Sequence, residues 1–272
     1  MTRIATIARN PADSPNMTAN DAAILESVAV ELKACGAEVV SINEDEDIPF
    51  DIQAVCTMSR TESIIARLRE AENSGITVIN SSVAVENCSR KQFMELLRDN
   101  AVPQPTFKVV RSVAELNDTQ LPCWIKKAKG WSNHKEDICF TQTINEAKTA
   151  VLQMAQRGIT ECIQMLHCQG DIIKFYGVGK DFFHYCYPQD SKFGLESING
   201  APGHYAFDTT ALKAAAQKAA TVVGLEVYGG DAIVDPQGRI YIIDINDFPS
   251  FTAIRSTAAK EIAKLIMKKT KL

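Results

Sequence analysis

The sequence predicts an α/β (α+β) protein that combines a parallel sheet with antiparallel strands, and two stretches of the chain carry this prediction. Over residues 1–80, short apolar strands alternate with segments whose apolar residues recur at helical spacing. This is the pattern of a parallel sheet covered by helices. Residues 229–251 read GGDAIVDPQGRIYIIDINDFPSF, where two strand-like runs flank Pro236 and Gly238. Proline and glycine at this spacing predict an antiparallel hairpin.

The remaining elements follow from the same periodicities. Asp21 is a candidate N-cap for the first helix, and Gly36 is placed to end it. The motif G-x-G-x-x-G does not follow the first strand, which argues against a dinucleotide-binding domain. We predict strands at 3–8, 38–42, 54–58 and 76–79, helices at 22–35, 62–71, 89–100, 145–157 and 210–223, and an amphipathic docking helix that includes 260–271.

Composition excludes several classes of function. The 272 residues carry a net charge of −4 without a basic stripe, which argues against a nucleic-acid partner. The sequence has no apolar run of about 18 residues and no apolar signal-peptide core at its start, so it predicts no membrane partner. Its eight cysteines never form a C-x-x-C pair, which favours reduced thiols in the cytoplasm. We expect a cytoplasmic protein that acts on a small-molecule acceptor. The sequence leaves its oligomeric state open.

The hairpin brings oxygen-bearing side chains together at one end. Asp244 and Asn246 are two residues apart on the second strand and therefore share a face. In an antiparallel pair closed near Gly238, Asp231 of the first strand lies beside the end of the second. Hard oxygen donors of this kind suit magnesium, which usually takes one or two carboxylates and leaves other positions to water and phosphate.

The acidic residue, the hairpin, the Asp-x-Asn pair and the proline that follows resemble the metal-binding end of the ATP-grasp superfamily, in its glutathione synthetase-like form. The resemblance implies an ATP-grasp fold, in which two lobes sandwich ATP behind an N-terminal parallel α/β domain. It implies that Asp231, Asp244 and Asn246 hold Mg²⁺, with two ions expected and Mn²⁺ as a substitute. The corresponding division of the chain is an N-terminal domain at 1–100, a central lobe at 101–175 and a C-terminal lobe with the metal site at 176–272.

Further landmarks of the superfamily occur upstream in the expected order. The resemblance gives Lys91 a position in ATP binding, places the side chain of Lys126 toward the α- and β-phosphates of ATP, and places Lys174 near the γ-phosphate or the acceptor. The loop at 130–137 has a single glycine, whereas relatives often have more, and Glu161 and Asp171 are both open as ribose-binding acids. The predicted ATP-binding residues are Lys91, Lys126, Gln164, Met165, Leu166 and Lys174, and the predicted catalytic residues are Lys174 and Arg255.

The acceptor decides the reaction, and two reactions are open. As a ligase, the protein would activate a small carboxylate as an acyl phosphate for condensation with an amine or thiol. As a kinase, it would phosphorylate a polyol or inositol phosphate hydroxyl, because 174–179 and 244–249 also resemble the inositol trisphosphate 5/6-kinases. Ligases of the superfamily commonly use an arginine in the region between Arg157 and Arg239, and its absence from this sequence argues against an ordinary ligase. A kinase for a polyphosphorylated inositol would need a cationic pocket, and the sequence offers few cations for one: Lys135, Lys192 and Arg255. We favour the ligase, keep the kinase as the alternative, and rank a nucleotide-binding module without catalysis third.

Overall fold

The computed structural model describes residues 1–132, 134–188 and 198–270, and within them the long strands form three four-stranded sheets. The first sheet is parallel, in the order β2-β1-β3-β4, and helices follow its strands as predicted. Its strands are β1 (Arg3–Ile7), β2 (Glu38–Ser41), β3 (Ala54–Thr57) and β4 (Thr77–Ile79), and its helices are α1 (Thr18–Ala34) and α2 (Glu62–Asn73).

Helix α1 begins four residues earlier than the sequence indicated. Asp21 was expected to cap the helix, but the N-cap is Met17, which makes no side-chain cap hydrogen bond. Asp21 instead lies in the first turn, where it is buried and its Oδ2 is 3.3 Å from Nε of Arg9. A buried carboxylate requires a cationic partner, and this ion pair outweighs the local capping preference. Gly36 follows the helix with φ of +86°, as its predicted position requires.

Two helices connect the first sheet to the rest of the chain. They are α3 (Ser82–Asn87) and α4 (Arg90–Asp99). Ser81 caps α3 by accepting a hydrogen bond from the amide of Ala84. The buried positions of α4 are Arg90, Phe93, Met94 and Leu97, which recur at the spacing of one helix face.

The second and third sheets are antiparallel. The second has the order β5-β8-β6-β7 and the third has the order β10-β9-β11-β12. Helix α5 (Ile144–Gln156) covers one face of the second sheet, and α6 (Thr209–Val223) packs beside the third. The strands of the second sheet are β5 (Phe107–Val110), β6 (Cys123–Lys127), β7 (Ile138–Thr141) and β8 (Cys162–Leu166), and those of the third are β9 (Asp171–Val178), β10 (Phe182–Cys186), β11 (Val227–Val234) and β12 (Ile240–Asp247).

The main apolar core lies between the two antiparallel sheets and includes Met165 of β8 and Phe175 of β9. The final helix, α7 (Arg255–Lys269), returns to the first sheet. There Ile262 and Ile266 join a buried cluster with Val28 of α1, so the C-terminal helix docks as the sequence predicts. The predicted boundary at 175 falls inside β9, and the three-domain division remains a prediction.

Two chain-wide features bear on the predictions from composition. No helix in the described part of the chain combines the length and apolar character needed to cross a membrane. All eight cysteines lie in the described residues, and all are free thiols.

Candidate nucleotide and metal site

The register of the β11–β12 hairpin makes two carboxylates direct neighbours. Asp231 lies opposite Asp244, Gly229 lies opposite Asn246, and a β-bulge follows Asp231. Nδ2 of Asn246 donates a hydrogen bond to Oδ2 of Asp244 over 3.0 Å. The two carboxylates and the amide that the sequence singles out therefore lie together on one side of the hairpin.

The turn of the hairpin fixes the register between itself and the bulge. The side chain of Asp235 accepts hydrogen bonds from the amides of Gln237 and Arg239 and from Nε of Arg239, at 3.0, 2.9 and 2.6 Å. Gly238 has φ of +77°, a conformation that favours glycine. A slip of one residue would turn every side chain to the other face of the sheet. The turn secures the pairing as far as Ala232 with Ile242, and the bulge after Asp231 then places Asp231 opposite Asp244.

Glycine is required beside the carboxylates because the backbones approach closely. A β-carbon on Gly230 would lie 2.2 Å from the carbonyl oxygen of Asp244 and 2.5 Å from Cζ of Phe175. A β-carbon on Gly229 would lie 2.8 Å from Cγ of Pro249. Glycine ordinarily weakens a strand, so this pair is explained by the tight packing around the end of β12.

A lysine completes a row of charges across three strands. Lys174 of β9 lies opposite Asp231 of β11, and its Nζ is 2.8 Å from Oδ1 of that carboxylate. Burial favours the neutral amine, but the charge and hydrogen bond of Asp231 outweigh burial and raise the pKa of Lys174. Lys174 is therefore a fixed cation that neutralises part of the charge of Asp231 and Asp244.

A cavity of about 160 Å³ lies between the two antiparallel sheets at this end of the hairpin. Of the residues that the sequence predicts, it brings together Lys126, Met165, Asp231 and Asp244. One part of its wall is charged and another part is apolar. The charged lining consists of Arg90, Lys126, Lys135, Asp231 and Asp244, and the apolar lining includes Pro105, Trp124, Ile138, Met165, Ile172, Ile233 and Ile243.

Lys126 and Arg90 are both buried in the wall of this cavity, each with 8% of its surface exposed. Burial, and then the charge of Arg90, lower the pKa of Lys126 to about 7, while Asp244 and Asp231 oppose this change. Arg90 approaches from α4 and donates hydrogen bonds to the carbonyl of Lys127 and to Oγ of Ser132, both at 3.0 Å. Two adjacent buried cations at the mouth of an open space can bind an anion such as phosphate.

Arg90 is a residue that the sequence analysis missed in favour of its neighbour. Lys91 was predicted to bind ATP, and its Nζ lies 3.0 Å from the carboxylate of Glu161, which also binds Arg111 at 2.9 Å. Lys91 is not one of the described residues that line the cavity. The signal was the helical spacing of Arg90 with Phe93, since that spacing turns Arg90 inward and Lys91 outward.

Gln164 and Leu166 also do not line the cavity in the described part of the chain, although Met165 between them does. Gln164 is fully buried on the opposite face of β8, where its side chain exchanges hydrogen bonds of 2.8 and 2.7 Å with the backbone of Asn117. The amide of Leu166 donates to the carbonyl of Thr106. Strand alternation explains why one of three consecutive residues reaches the site.

Three other residues that the sequence analysis names are not among the described residues that line the cavity. Arg255 begins α7 and donates from Nη2 to Oδ1 of Asn20 over 2.9 Å. Asp171 is buried and accepts hydrogen bonds from the amides of Gly203 and Tyr205, and ribose binding by this residue stays a prediction. Lys192 lies outside the described residues.

The sequence analysis also missed the aromatic residues of the cavity lining. Nε1 of Trp124 donates to Nδ1 of His167 over 3.1 Å, and both residues line the cavity. Phe140 packs against both, with ring centroids 5.0 and 5.1 Å away. Burial lowers the pKa of His167, and the hydrogen bond from Trp124 leaves its proton on Nε2. Alternation along β6 would have indicated Trp124, because it is two residues from Lys126.

The donor set determines which metal the site fits. Within the described residues, no group of three or more His, Cys, Asp and Glu side chains is arranged to hold a metal ion. The candidate site consists of two carboxylates and one amide, which are hard oxygen donors, and Arg90 and Lys126 line the same cavity as the two carboxylates. This set fits Mg²⁺, which needs few protein ligands when phosphate and water complete its shell.

Comparison with known structures identifies the fold. The D-alanyl-alanine synthetase A of Vibrio cholerae superposes with a TM-score of 0.74 at 9% identity, covering 99% of this chain and 98% of its own. A RimK-domain ATP-grasp protein of Sphaerobacter thermophilus gives 0.71 at 14% identity, covering 98% and 100%. The ATP-grasp ligase PsnB, solved with a minimal precursor, Mg and ADP, gives 0.67 at 15% identity, covering 99% and 98%.

No protein-family model matches the sequence, and no curated protein sequence matches it significantly. The three-dimensional likeness extends over nearly the whole chain at low identity. The protein therefore has the ATP-grasp fold, as the sequence predicts.

Proposed function

We propose that the protein is an ATP- and Mg²⁺-dependent ligase that activates a small carboxylate as an acyl phosphate and condenses it with an amine or thiol. One observation carries this proposal. A single cavity joins an apolar wall, two buried cations and the Asp231–Asp244 pair. These are the three environments that a nucleotide base, its phosphates and their metal ion require.

The nucleotide would lie with its base against the apolar wall and its phosphates at the cations. Trp124 and Met165 offer the wall a flat ring and a flexible thioether, which suit the face of a base. Lys126 and Arg90 are already desolvated, so their charges act on a phosphate at a low local dielectric. Phosphate binding would raise the pKa of Lys126 above about 7 and draw a proton onto it.

Asp231, Asp244 and Asn246 would hold Mg²⁺. When bound, the ion orients the phosphate oxygens and neutralises charge that develops in transfer. Lys174 keeps its proton and lies next to Asp231, so it is placed to steady the transferring group without acting as a base. Binding of a second ion and replacement by Mn²⁺ are part of this proposal.

The comparisons support a ligase over a kinase. PsnB is named a ligase and the Vibrio cholerae protein a synthetase, and none of the three compared structures carries a kinase name. Because these proteins share at most 15% identity with the chain, their substrates are not transferred to it. The free thiols are consistent with the cytoplasmic location that we propose.

The test is product analysis with Mg-ATP and a pool of amino acids, small carboxylates and phosphorylated polyols. We expect acceptor-dependent free phosphate together with a condensed product seen by mass spectrometry. Lys126→Met should abolish the reaction, while the matched variant Lys129→Met, in which an 87% exposed lysine is changed, should leave it intact. An acceptor heavier by one phosphoryl group without free phosphate would contradict the ligase and establish a kinase.

A further inference from the structure

Arg60 contacts two segments that adjoin the candidate site. It follows β3 of the N-terminal sheet, and its side chain is 7% exposed. Its Cζ lies 4.6 Å from the ring centroid of Trp131, and its Nη1 lies 3.5 Å from Oδ1 of Asp247. Trp131 belongs to the loop after β6, and Asp247 is the last residue of β12, directly after Asn246.

The loop at 128–132 is attached on two sides. Toward α4, Oγ of Ser89 accepts from the amide of Gly130, and Arg90 donates to Oγ of Ser132, both at 3.0 Å. Toward the N-terminal sheet, the ring of Trp131 packs against the buried cluster that contains Ile7 and Ile65, in addition to the main core. A bulky aromatic ring therefore seats this loop on the N-terminal sheet.

The end of β12 is held by the same sheet. Nη2 of Arg9 donates to the carbonyls of Asp247 and Phe248 at 3.2 and 2.9 Å. The carboxylate of Asp247 is 1% exposed and lies between Arg9 and Arg60 at 3.7 and 3.5 Å. These distances are longer than a good hydrogen bond. Within the described residues, neither carboxylate oxygen of Asp247 has a hydrogen-bond partner, and neither does Nε of Arg60.

The ion pair of Arg60 with Asp247 contributes little to the free energy of unfolding. Buried ion pairs repay their desolvation only with close geometry and satisfied hydrogen bonds, and the pair of Arg60 with Asp247 has neither. Its distinctive property is that one guanidinium touches both the loop next to Lys126 and the strand end next to Asn246. Movement of Trp131 away from the N-terminal sheet would leave Arg60 free to shift, and the strand end would lose one of its two cations.

We propose that Arg60 is a positioning residue that couples the seating of the loop at 128–132 to the position of the metal-binding end of β12. The use of this coupling in nucleotide binding rests on the proposed function, whereas the coupling itself is a property of the protein without nucleotide. Loop seating and strand position then change together in this chain.

The experiment is hydrogen–deuterium exchange of the full chain without nucleotide, read in peptides that cover 243–249. Trp131→Leu should speed exchange there by about fivefold, the size expected for losing a cation–π contact. Arg60→Gln should speed it at least as much, and adding Trp131→Leu to Arg60→Gln should change it no further. If Trp131→Leu does not fold, Trp131→Phe is measured in its place, with a smaller increase expected because phenylalanine is the weaker partner.

Two controls separate coupling from general loosening. Arg69→Gln removes an exposed arginine of α2, and Lys129→Ala removes an exposed lysine of the same loop, and both should leave exchange in 243–249 unchanged. Unchanged exchange in Trp131→Leu, or additive increases in the double variant, would overturn the proposal. Failure of the proposed function would appear separately, as wild-type protein that neither binds nor turns over Mg-ATP while the exchange pattern holds.

Discussion

Lys174 and Asp231 are direct neighbours on strands β9 and β11, and their side chains form an ion pair of 2.8 Å. Asp231 is in turn opposite Asp244 on β12. A metal ion that binds between the two carboxylates must therefore share Asp231 with a cation that keeps its proton. Charge repulsion between Lys174 and the ion is compensated only when an anion lies beside both.

The first prediction concerns this competition. Lys174→Met should tighten Mn²⁺ binding in the absence of nucleotide, because Asp231 loses its competing cation, and should lower Mg-ATP turnover by about tenfold or more. Mn²⁺ binding is followed by electron paramagnetic resonance, and turnover by product release. Lys180→Met, which changes an exposed lysine after β9, is the control. Weaker Mn²⁺ binding in Lys174→Met would show that Lys174 does not oppose the ion.

The second prediction uses two adjacent residues of α4 as a matched pair. Arg90→Gln should weaken ATP binding by about tenfold to a hundredfold, the usual worth of a hydrogen bond to a charged group. Lys91→Gln should leave binding within about twofold, because its ammonium is paired with Glu161 outside the cavity. Isothermal titration of both variants decides this, and equal losses in the two would contradict the assignment of Arg90.

The third prediction concerns stability and pH. The pKa of Lys126 is about 7 in the folded protein, below its usual value of 10.5. Between these two values the unfolded chain binds the extra proton, so the contribution of Lys126 to the free energy of unfolding rises with pH across this window. Below it, both states are protonated and the full cost of burying the charge is present.

Lys126→Met should therefore be more stable than wild type at about pH 6, with a margin that shrinks by about pH 9. Denaturant unfolding at both pH values measures the margin. Lys129→Met, at an exposed position, should show no such dependence. A margin that stays constant with pH would mean that Lys126 does not lose its proton in the folded state.

The sequence predicted the parts of the fold that repeat a local pattern. Strand and helix periodicity placed the parallel sheet, and Pro236 with Gly238 placed the hairpin that brings Asp231 to Asp244. These features are determined by residues that are close together in the chain, so they can be predicted from the sequence. The resemblance to a family then supplied Lys126 and Met165, which do line the cavity.

The rest depends on contacts between distant segments. Lys91 is the residue type expected of an ATP-binding position, but its ammonium is paired outside the cavity with Glu161, which is 70 residues away in the chain. Asp21 is a residue type that favours the N-cap position, but its buried side chain forms an ion pair with Arg9. Gln164 was predicted to bind ATP, and the backbone of Asn117 in a separate loop holds its side chain on the other face of β8. In each case a partner from a distant segment holds the side chain in a position that the local sequence does not indicate.

Mg²⁺-dependent binding of ATP, measured by equilibrium dialysis on wild type and Asp244→Asn, tests the central claim most directly. The variant keeps the size of the side chain but removes one of the two opposed carboxylates. We predict that wild type binds ATP more tightly with Mg²⁺ than without, and that Asp244→Asn reduces this gain in affinity by about tenfold or more. Asp181→Asn, which changes an exposed carboxylate between β9 and β10, should keep the full gain. Equal Mg²⁺ dependence in wild type and Asp244→Asn would contradict the assignment of the metal to this hairpin.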